Sequence, residues 1–177
     1  MAQQVKVVEY DPEWEQLYQQ EKRKLEDILD DELVEIHHIG STAVPGLRAK
    51  PIIDIMPVVS CIHRVDLYNS LFEKIGYECM GEVGIPGRRY FRKGGDIRTH
   101  QIHIFEKANQ SDMIRHLAVR DYLRNHEKAR REYGELKSRL AAQYPDSIEK
   151  YCDGKDDFVK KLEREAVRWY ADADHSR

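Results

Sequence analysis

A single aspartate, Asp54, stands inside an otherwise apolar stretch of the sequence. Residues 52–59 read IIDIMPVV, which predicts a β-strand buried on both faces. A buried carboxylate is costly without a partner, so Asp54 requires a cation, a set of hydrogen-bond donors or a metal ion. The structural alternative is that Asp54 caps the neighbouring loop or pairs with Lys50.

A Gly-Ser turn precedes this strand. Gly40 and Ser41 follow a predicted strand and offer backbone N–H groups and a hydroxyl to an anion, as glycine-rich turns do for phosphates. On its own the pair predicts only a turn. Together with Asp54 it marks a candidate site for a phosphorylated ligand.

Basic residues suited to an anion occur in two further regions. Arg88 and Arg89 lie in a predicted strand with alternating side chains, so one of them points into the site for bidentate contact with phosphate or carboxylate. Arg120 and Arg124 share one helix face, and Lys137 has the same i, i+4 relation to a tyrosine on the next helix. Each helical pair is either half of an anion cradle or part of a structural salt-bridge network.

The elements that must position these residues are those of an α+β domain. Periodicity and turn signals predict helices at 12–30, 62–75, 111–124, 126–142 and 155–171, and strands at 33–39, 52–59, 77–80, 88–93 and 98–106. The stretch Lys93-Gly94-Gly95-Asp96 predicts a hairpin turn, Pro57 predicts a position near a sheet edge, and Asp153-Gly154 predicts a helix break. We expect a small mixed sheet flanked by helices, followed by a helical C-terminal half.

Length and composition limit the class of protein. The 177 residues suit one domain spanning 1–177, with a sheet-containing half at about 1–110 and a helical half at about 111–177. The 29 basic and 32 acidic residues give a net charge of −3, and interleaved charges argue against nucleic acid as a partner. Neither an apolar run near 18 residues nor an N-terminal secretory signal is visible, and three scattered cysteines suit a reducing compartment. We expect a cytoplasmic protein with a small anionic ligand; its oligomeric state stays open.

Several ordered motifs resemble one family. HIGSTAVPGL at 38–47, followed by KPIIDI at 50–55, resembles the signature of the GrpB family. The similarity continues through GIPGRRYF at 84–91, HQIHIF at 100–105 and RDYLR at 120–124. This family is placed in the nucleotidyltransferase superfamily, and its domain is similar to the C-terminal extension of some bacterial dephospho-CoA kinases. The resemblance implies a nucleotidyltransferase-like fold.

The superfamily pattern also implies a metal site, from which this sequence departs. A Gly-Ser turn is followed by a strand with two acids separated by one residue, which with a third acid hold Mg²⁺ or Mn²⁺ against a nucleoside triphosphate. Gly40-Ser41 and Asp54 match, but Met56 occupies the second acidic position. This argues against a two-metal mechanism and leaves open a one-metal site or a site completed by other ligands. Glu82 would supply the missing acid if its loop folds over the pocket.

Two histidines extend the candidate site. Strand alternation allows only one of His37 and His38, and one of His100 and His103, to face a pocket. We expect His38 and His103, because both lie in motifs that resemble the family. If they converge with Asp54 they form a two-histidine, one-carboxylate set that suits a transition metal. Otherwise each is a hydrogen-bonding residue or a general acid or base.

These residues lead to three hypotheses. The first is a nucleotidyltransferase-like enzyme that transfers a nucleoside monophosphate to a small acceptor, with Asp54, His103 and Ser41 as catalytic residues. The phosphates of the bound ligand would be held by Gly40, Ser41, Lys50, Arg88, Arg89, Arg120, Arg124 and Lys137. The second is a non-catalytic module that binds a nucleotide or an anionic metabolite, as Met56 suggests. The third is a metal-dependent hydrolase built on His38, Asp54 and His103.

Overall fold

The elements follow the predicted order along the chain. The computed structural model describes residues 4–174. The helices are α1 (Glu13–Leu29), α2 (Ile62–Val65), α3 (Asn69–Lys74), α4 (Gln110–Asn125), α5 (Glu127–Gln143) and α6 (Ile148–Asp174), and the strands are β1 (Leu33–Ile39), β2 (Ile53–Val59), β3 (Tyr77–Gly81), β4 (Arg89–Lys93) and β5 (His100–Glu106). The predicted α+β class, with a sheet flanked by helices and a helical C-terminal half, is confirmed.

The five strands form one mixed sheet in the order β1-β2-β5-β4-β3. β2 and β5 run parallel, and the other neighbours run antiparallel. β2 therefore lies inside the sheet, and the expectation that Pro57 marks a sheet edge is wrong. Pairing with β5 passes from Ile55 to Val58, so the proline stands where no N–H is required on that side.

The predicted hairpin between β4 and β5 is confirmed. Gly94 in its turn has φ +106°, and a Cβ there would overlap the carbonyl oxygen of Ile97. Only glycine fits this position without moving the backbone. The turn thereby fixes the register that sets Tyr90 opposite His103.

The chain forms two compact units that interleave along the sequence. The sheet unit comprises Glu13–Ile39 and Ile52–Met113. The helical unit comprises the residues up to Pro12, the segment Gly40–Pro51 and the chain from Ile114 onward. These units cut across the expected halves at about residue 110, because two N-terminal segments join the C-terminal helices. The single domain spanning 1–177 stays a prediction.

In the sheet unit, helices cover one face of the sheet. Tyr18 of α1 stacks on His38 of β1 with ring centroids 4.7 Å apart, and Phe72 of α3 stacks on Phe91 of β4 at 4.2 Å. Glu21 of α1 is buried on the same face. The apolar spacing of α1 thus serves to pack this helix on the sheet.

In the helical unit, short N-terminal segments pack against the three C-terminal helices. Val44 and Leu47 form a buried cluster with Leu123, Tyr133 and Leu162. The backbone near the N-terminus joins this unit through a bridge between Val8 and Ala49 and a hydrogen bond from the Val5 N–H to the Pro145 carbonyl, 2.8 Å. The backbone at Val8 therefore pairs with the 40–51 segment.

Two predicted helix boundaries are wrong. The expected helix at 62–75 is divided into α2, a single 3₁₀ turn and α3. The expected break at Gly154 lies inside α6, which begins at Ile148. A Cβ at Gly154 would lie 2.5 Å from Leu140 Cδ2, so this glycine serves the close packing of α6 on α5 rather than a turn.

Within residues 4–174, the helices include none that is long and apolar enough to cross a bilayer.

Candidate functional site

Polar side chains of the sheet unit share the sheet face opposite that covered by α1 and α3. Asp54 pairs with Gln101 across the β2–β5 ladder, and Tyr90 pairs with His103 across β4–β5. Because side chains alternate along a strand, Gln101 and His103 point to the same side. We name the aspartate cluster by its members: Asp54, Arg88, Tyr90, Arg98, Gln101 and His103.

Asp54 finds its partners among hydrogen-bond donors of β5. Its Oδ1 lies 3.1 Å from His103 Nε2 and, with the Gln101 amide oriented to satisfy its neighbours, accepts from that amide at 3.0 Å. The Gln101 oxygen accepts in turn from Arg98 at 3.2 Å. Within residues 4–174 both hydrogen bonds of Asp54 end on Oδ1, which leaves Oδ2 to meet a ligand. The side chain is 23% exposed, so solvent and ligands reach it.

Arg88 determines which nitrogen of His103 carries the proton. Its guanidinium lies 3.5 Å from His103 Nδ1, and a guanidinium can only donate. Nδ1 is therefore the acceptor, and Nε2–H donates to Asp54. Arg88 itself is held by the carbonyls of Glu82 and Val83 at 3.1 and 2.9 Å. The cluster thus holds the Asp54 side chain beside the Nε2 edge of the His103 ring.

The two neighbouring arginines separate to opposite faces of the sheet. Arg88 lies over the Tyr90 ring, whereas Arg89 forms a bidentate pair with Asp66 at 2.8 and 3.2 Å. Hydrogen bonding to Arg89 lowers the pKa of Asp66. The expectation that Arg89 neutralises ligand phosphates is therefore corrected: Arg88 is the arginine on the side of Asp54.

Glu82 and His38 do not join Asp54. The Glu82 carboxylate accepts from the Gly87 N–H at 2.6 Å and closes its own loop. His38 pairs with Ile55, which alternates with Asp54, so its ring lies on the helix-covered face and contacts Glu15 at 3.3 Å. The expectation that His38 faces the pocket beside Asp54 is wrong, and the two-histidine, one-carboxylate set does not form. Among residues 4–174, no group of three or more histidine, cysteine or acidic side chains could hold a metal ion.

Met56 shares the sheet face of Asp54 but is fully buried. It pairs with His37 of β1. An apolar, enclosed side chain therefore occupies the position at which the superfamily pattern requires a second acid. Two-metal coordination does not fit the residues present, because Asp54 has no carboxylate neighbour on this strand.

In the helical unit, the Gly-Ser turn is held by basic side chains. Gly40 has φ +74°, and the N–H groups of Ala43 and Val44 bond back to Gly40 and Ser41 at 3.2 and 3.1 Å. Those two N–H groups are thus consumed by the turn and are not offered to an anion. Arg124 Nε donates to the Ala43 carbonyl at 2.9 Å, which gives this arginine a role in positioning the turn.

Lys137 of α5 lies beneath Ser41. Its side chain is buried, only 2% exposed, and Nζ donates to Ser41 Oγ at 2.9 Å. The ammonium also lies 4.4 Å from the centroid of the Tyr133 ring. Burial, reinforced by the charges of Lys155 and Lys50, lowers the pKa of Lys137 well below its ordinary value. Burial and the neighbouring charges therefore both favour the neutral form of this amine.

Two further lysines complete a positively charged group. The Nζ atoms of Lys50 and Lys155 lie 5.3 and 5.1 Å, respectively, from the centroid of the Tyr151 ring. Tyr151 is fully buried, and its hydroxyl finds no hydrogen-bond partner within residues 4–174. Burial raises its pKa, so it remains neutral. We name the lysine cluster by its members: Ser41, Lys50, Tyr133, Lys137, Tyr151 and Lys155.

The arginine pair on α4 forms a salt-bridge network. Arg120 Nε donates to Asp121 at 2.8 Å, and Arg124 lies 3.9 Å from the same carboxylate. The structural alternative left open by the sequence is therefore present. A part for Arg120 and Arg124 in anion binding stays a prediction.

Sequence reasoning missed Lys155, Tyr151, Gln101 and Arg98 as members of these clusters. Gln101 had a signal, since it shares a strand face with His103. Lys155 and Tyr151 stand four residues apart on α6, but a helical i, i+4 pair does not show which distant segment it meets. Whether Gly40, Ser41 and Asp54 form one site stays a prediction.

A family model described as GrpB protein matches residues 4–165. The chain belongs to the GrpB family. It is 45% identical over 165 residues to the UPF0157 protein YqkA of Bacillus subtilis (strain 168), a match that covers 93% of this chain and 48% of that protein. It is 34% identical over 162 residues to the glutamate-rich protein GrpB of Alkalihalophilus pseudofirmus, covering 88% and 92%. The chain thus spans about half of the Bacillus relative.

A solved structure shares this fold closely. The crystal structure of the conserved protein GrpB from Enterococcus faecalis superposes with a TM-score of 0.91 and 48% identity, covering 93% of this chain and 99% of that chain. A complex of Cid1 with a UTP analog gives a TM-score of 0.46 and 15% identity over 70% of this chain. A likeness that weak supports no inference about function.

Proposed function

We propose that this GrpB-family protein binds a nucleotide or another small phosphorylated ligand at the lysine cluster. The observation that carries the proposal is the buried Lys137, which is hydrogen-bonded to Ser41 and whose pKa is lowered by burial and by the charges of Lys155 and Lys50. Neighbouring positive charges repel one another, and a bound anion offsets this repulsion. A phosphate group, with several charged oxygens, meets that requirement.

The hydroxyl of Ser41 is oriented to serve such an anion. An amine that donates to Ser41 Oγ leaves the hydroxyl proton to be donated elsewhere. Ser41, Lys50 and Lys155 are each only partly buried and are reachable by a ligand, whereas Lys137 is enclosed. We therefore assign the contacts to the first three residues and assign Lys137 to positioning Ser41.

Titration calorimetry with ATP, UTP and inorganic triphosphate tests the proposal. Substituting Lys50→Met or Lys155→Met removes one charge, and we expect Kd to rise about tenfold or more, because a charge-assisted contact is worth about 1.5–3 kcal/mol. Lys161→Met is the matched control, since Lys161 lies on α6, is 71% exposed and pairs only with Glu165 within residues 4–174. Absence of binding by every probe, or equal loss in all three variants, would refute the proposal.

The aspartate cluster favours a second candidate function, the transfer of a nucleoside monophosphate to a small acceptor. Asp54 keeps Oδ2 available and is fixed by His103 and Gln101, an arrangement in which a carboxylate accepts the proton of an attacking hydroxyl. The acceptor oxygen would then bond to the α-phosphorus while the bond to pyrophosphate breaks. Mg²⁺ or Mn²⁺ in a two-metal arrangement does not fit these residues, so the proton transfer is assigned to Asp54 alone.

Turnover distinguishes the two functions. Under transfer, pyrophosphate is released from a nucleoside triphosphate when a pool of small hydroxyl and amine acceptors is supplied, and Asp54→Asn abolishes this release without weakening triphosphate binding. Under binding alone, no pyrophosphate forms and Asp54→Asn changes neither measurement. Pyrophosphate release that survives Asp54→Asn would contradict the role assigned to this carboxylate.

A further inference from the structure

Lys137 is enclosed by groups from three parts of the helical unit. Ser41, in the turn after β1, accepts a hydrogen bond from Lys137. Lys50, on the segment that follows this turn, and Lys155, on α6, act on Lys137 through their positive charges. Tyr133 lies four residues earlier on the same helix. Within residues 4–174 no carboxylate lies within ion-pair distance of Lys137.

These surroundings disfavour a charged amine for two separate reasons. Burial removes the water that stabilises an ammonium ion, and the charges of Lys155 and Lys50 repel it. Tyr151 supplies no compensating charge, because burial raises the pKa of its hydroxyl and the phenol stays neutral. An anion brought to this cluster reverses the second effect, since its charge attracts the ammonium and screens it from the other lysines.

We propose that binding of an anion at the lysine cluster protonates Lys137, so that the protein takes up a proton as it takes up its ligand. This rests on the proposed function of the cluster. Lys137 does not contact the ligand in this scheme. It acts from beneath Ser41, and its charge is supplied only when the ligand is present.

The direction of the pH dependence follows from linkage. The bound state carries a proton that the free state lacks at a pH between the two values of the Lys137 pKa. Affinity therefore increases as the pH falls through this window, by up to about tenfold in Kd per pH unit. Above the upper pKa, both states are neutral and the dependence disappears.

Calorimetric titration with sulfate tests this, because the charge of sulfate does not change across the neutral and alkaline range. Titrations in buffers with different ionisation enthalpies measure the protons taken up per bound ion. We expect uptake of a fraction approaching one proton by the native protein and none by Lys137→Met, whose side chain has similar length and no charge. Lys161→Met is the matched control and should keep the uptake.

The outcomes separate this inference from the proposed function. Absence of sulfate and triphosphate binding overturns both. Binding with no proton uptake at any pH overturns the inference and leaves the binding function intact. Uptake that persists in Lys137→Met also overturns it, because another group would then be the proton acceptor. A ¹³Cε NMR titration of the lysines, with and without sulfate, gives an independent readout: only the Lys137 signal should shift its midpoint upward by a large amount.

Discussion

Replacing Lys137 by methionine should alter the pH dependence of protein stability. The amine is buried and has a lowered pKa in the folded protein, whereas in the unfolded chain its pKa is about 10.4. Between these values the unfolded state binds a proton that the folded state does not. The free energy of unfolding of the native protein therefore rises with pH through this window.

The magnitude follows from linkage. One group that is protonated only in the unfolded state changes the free energy of unfolding by up to about 1.4 kcal/mol per pH unit. Lys137→Met lacks this contribution and loses one hydrogen bond to the partly exposed Ser41, which costs about 1 kcal/mol. We expect the variant to gain stability relative to the native protein as the pH falls, and to be less stable than the native protein by about 1 kcal/mol near pH 10 (about the unfolded pKa), where only the lost hydrogen bond separates them.

Urea unfolding of both proteins over this pH range measures the effect. All other titrating groups contribute equally to the two curves, so their difference isolates Lys137. Lys161→Met, an exposed lysine on α6, should give a curve parallel to that of the native protein. If the curve of Lys137→Met is also parallel, the amine is charged in the folded protein and the reasoning fails.

Three further predictions concern the sheet unit. Burial alone would raise the pKa of Glu21, but hydrogen bonds from Lys93 at 2.6 Å and Tyr77 at 2.7 Å outweigh burial and lower it, so the stability that this carboxylate contributes is lost as the pH falls through the lowered pKa. Glu21→Gln should cost about 3 kcal/mol at neutral pH in urea unfolding. A loss below about 1 kcal/mol would show that the Glu21–Lys93 pair is accessible to water. A double-mutant cycle of Arg89→Met and Asp66→Asn should give a coupling energy of about 0.5–1 kcal/mol, because Asp66 is 50% exposed. The triphosphate affinity of Arg89→Met should equal that of the native protein. Weaker triphosphate binding by this variant would show that Arg89 contacts the ligand. Met56→Asp should lower the melting temperature strongly, because burying an unpaired carboxyl group costs roughly 2–7 kcal/mol even when the group is neutral. The variant should not create Mn²⁺ binding detectable by paramagnetic resonance. A stable variant that binds Mn²⁺ would show that position 56 opens to the site.

The sequence was sufficient to predict the elements whose patterns are local. Five strands and the helices α1, α4 and α5 match their expected positions to within about two residues, because period and turn chemistry specify them. The helix break predicted at Gly154 and the sheet-edge position predicted at Pro57 are wrong for the same physical reason. Each has a local preference that tertiary packing overrides, through the approach of Leu140 in one case and an unpaired stretch of the β2–β5 ladder in the other.

Only part of the candidate site was predicted from the sequence. Alternation allowed one of His100 and His103 to face the pocket, the family resemblance favoured His103, and the pairing of β2 with β5 places it beside Asp54. His38 failed because its face depends on the pairing of β1 with β2, in which Ile39 rather than His38 stands opposite Asp54. Lys155 was missed because nothing in a helical sequence shows which residues of another segment its side chain approaches.

The interleaving of the two units limits how this protein can be divided. Val44 and Leu47 reach their apolar partners on α4, α5 and α6 only after more than half of the chain has been made. A fragment ending near residue 110 would carry these side chains without the helices that cover them, and would expose an aggregation-prone apolar segment. During synthesis the same apolar side chains stay exposed until the last helix has been made. The turn that carries Ser41 therefore depends on the C-terminal helices for protection from aggregation.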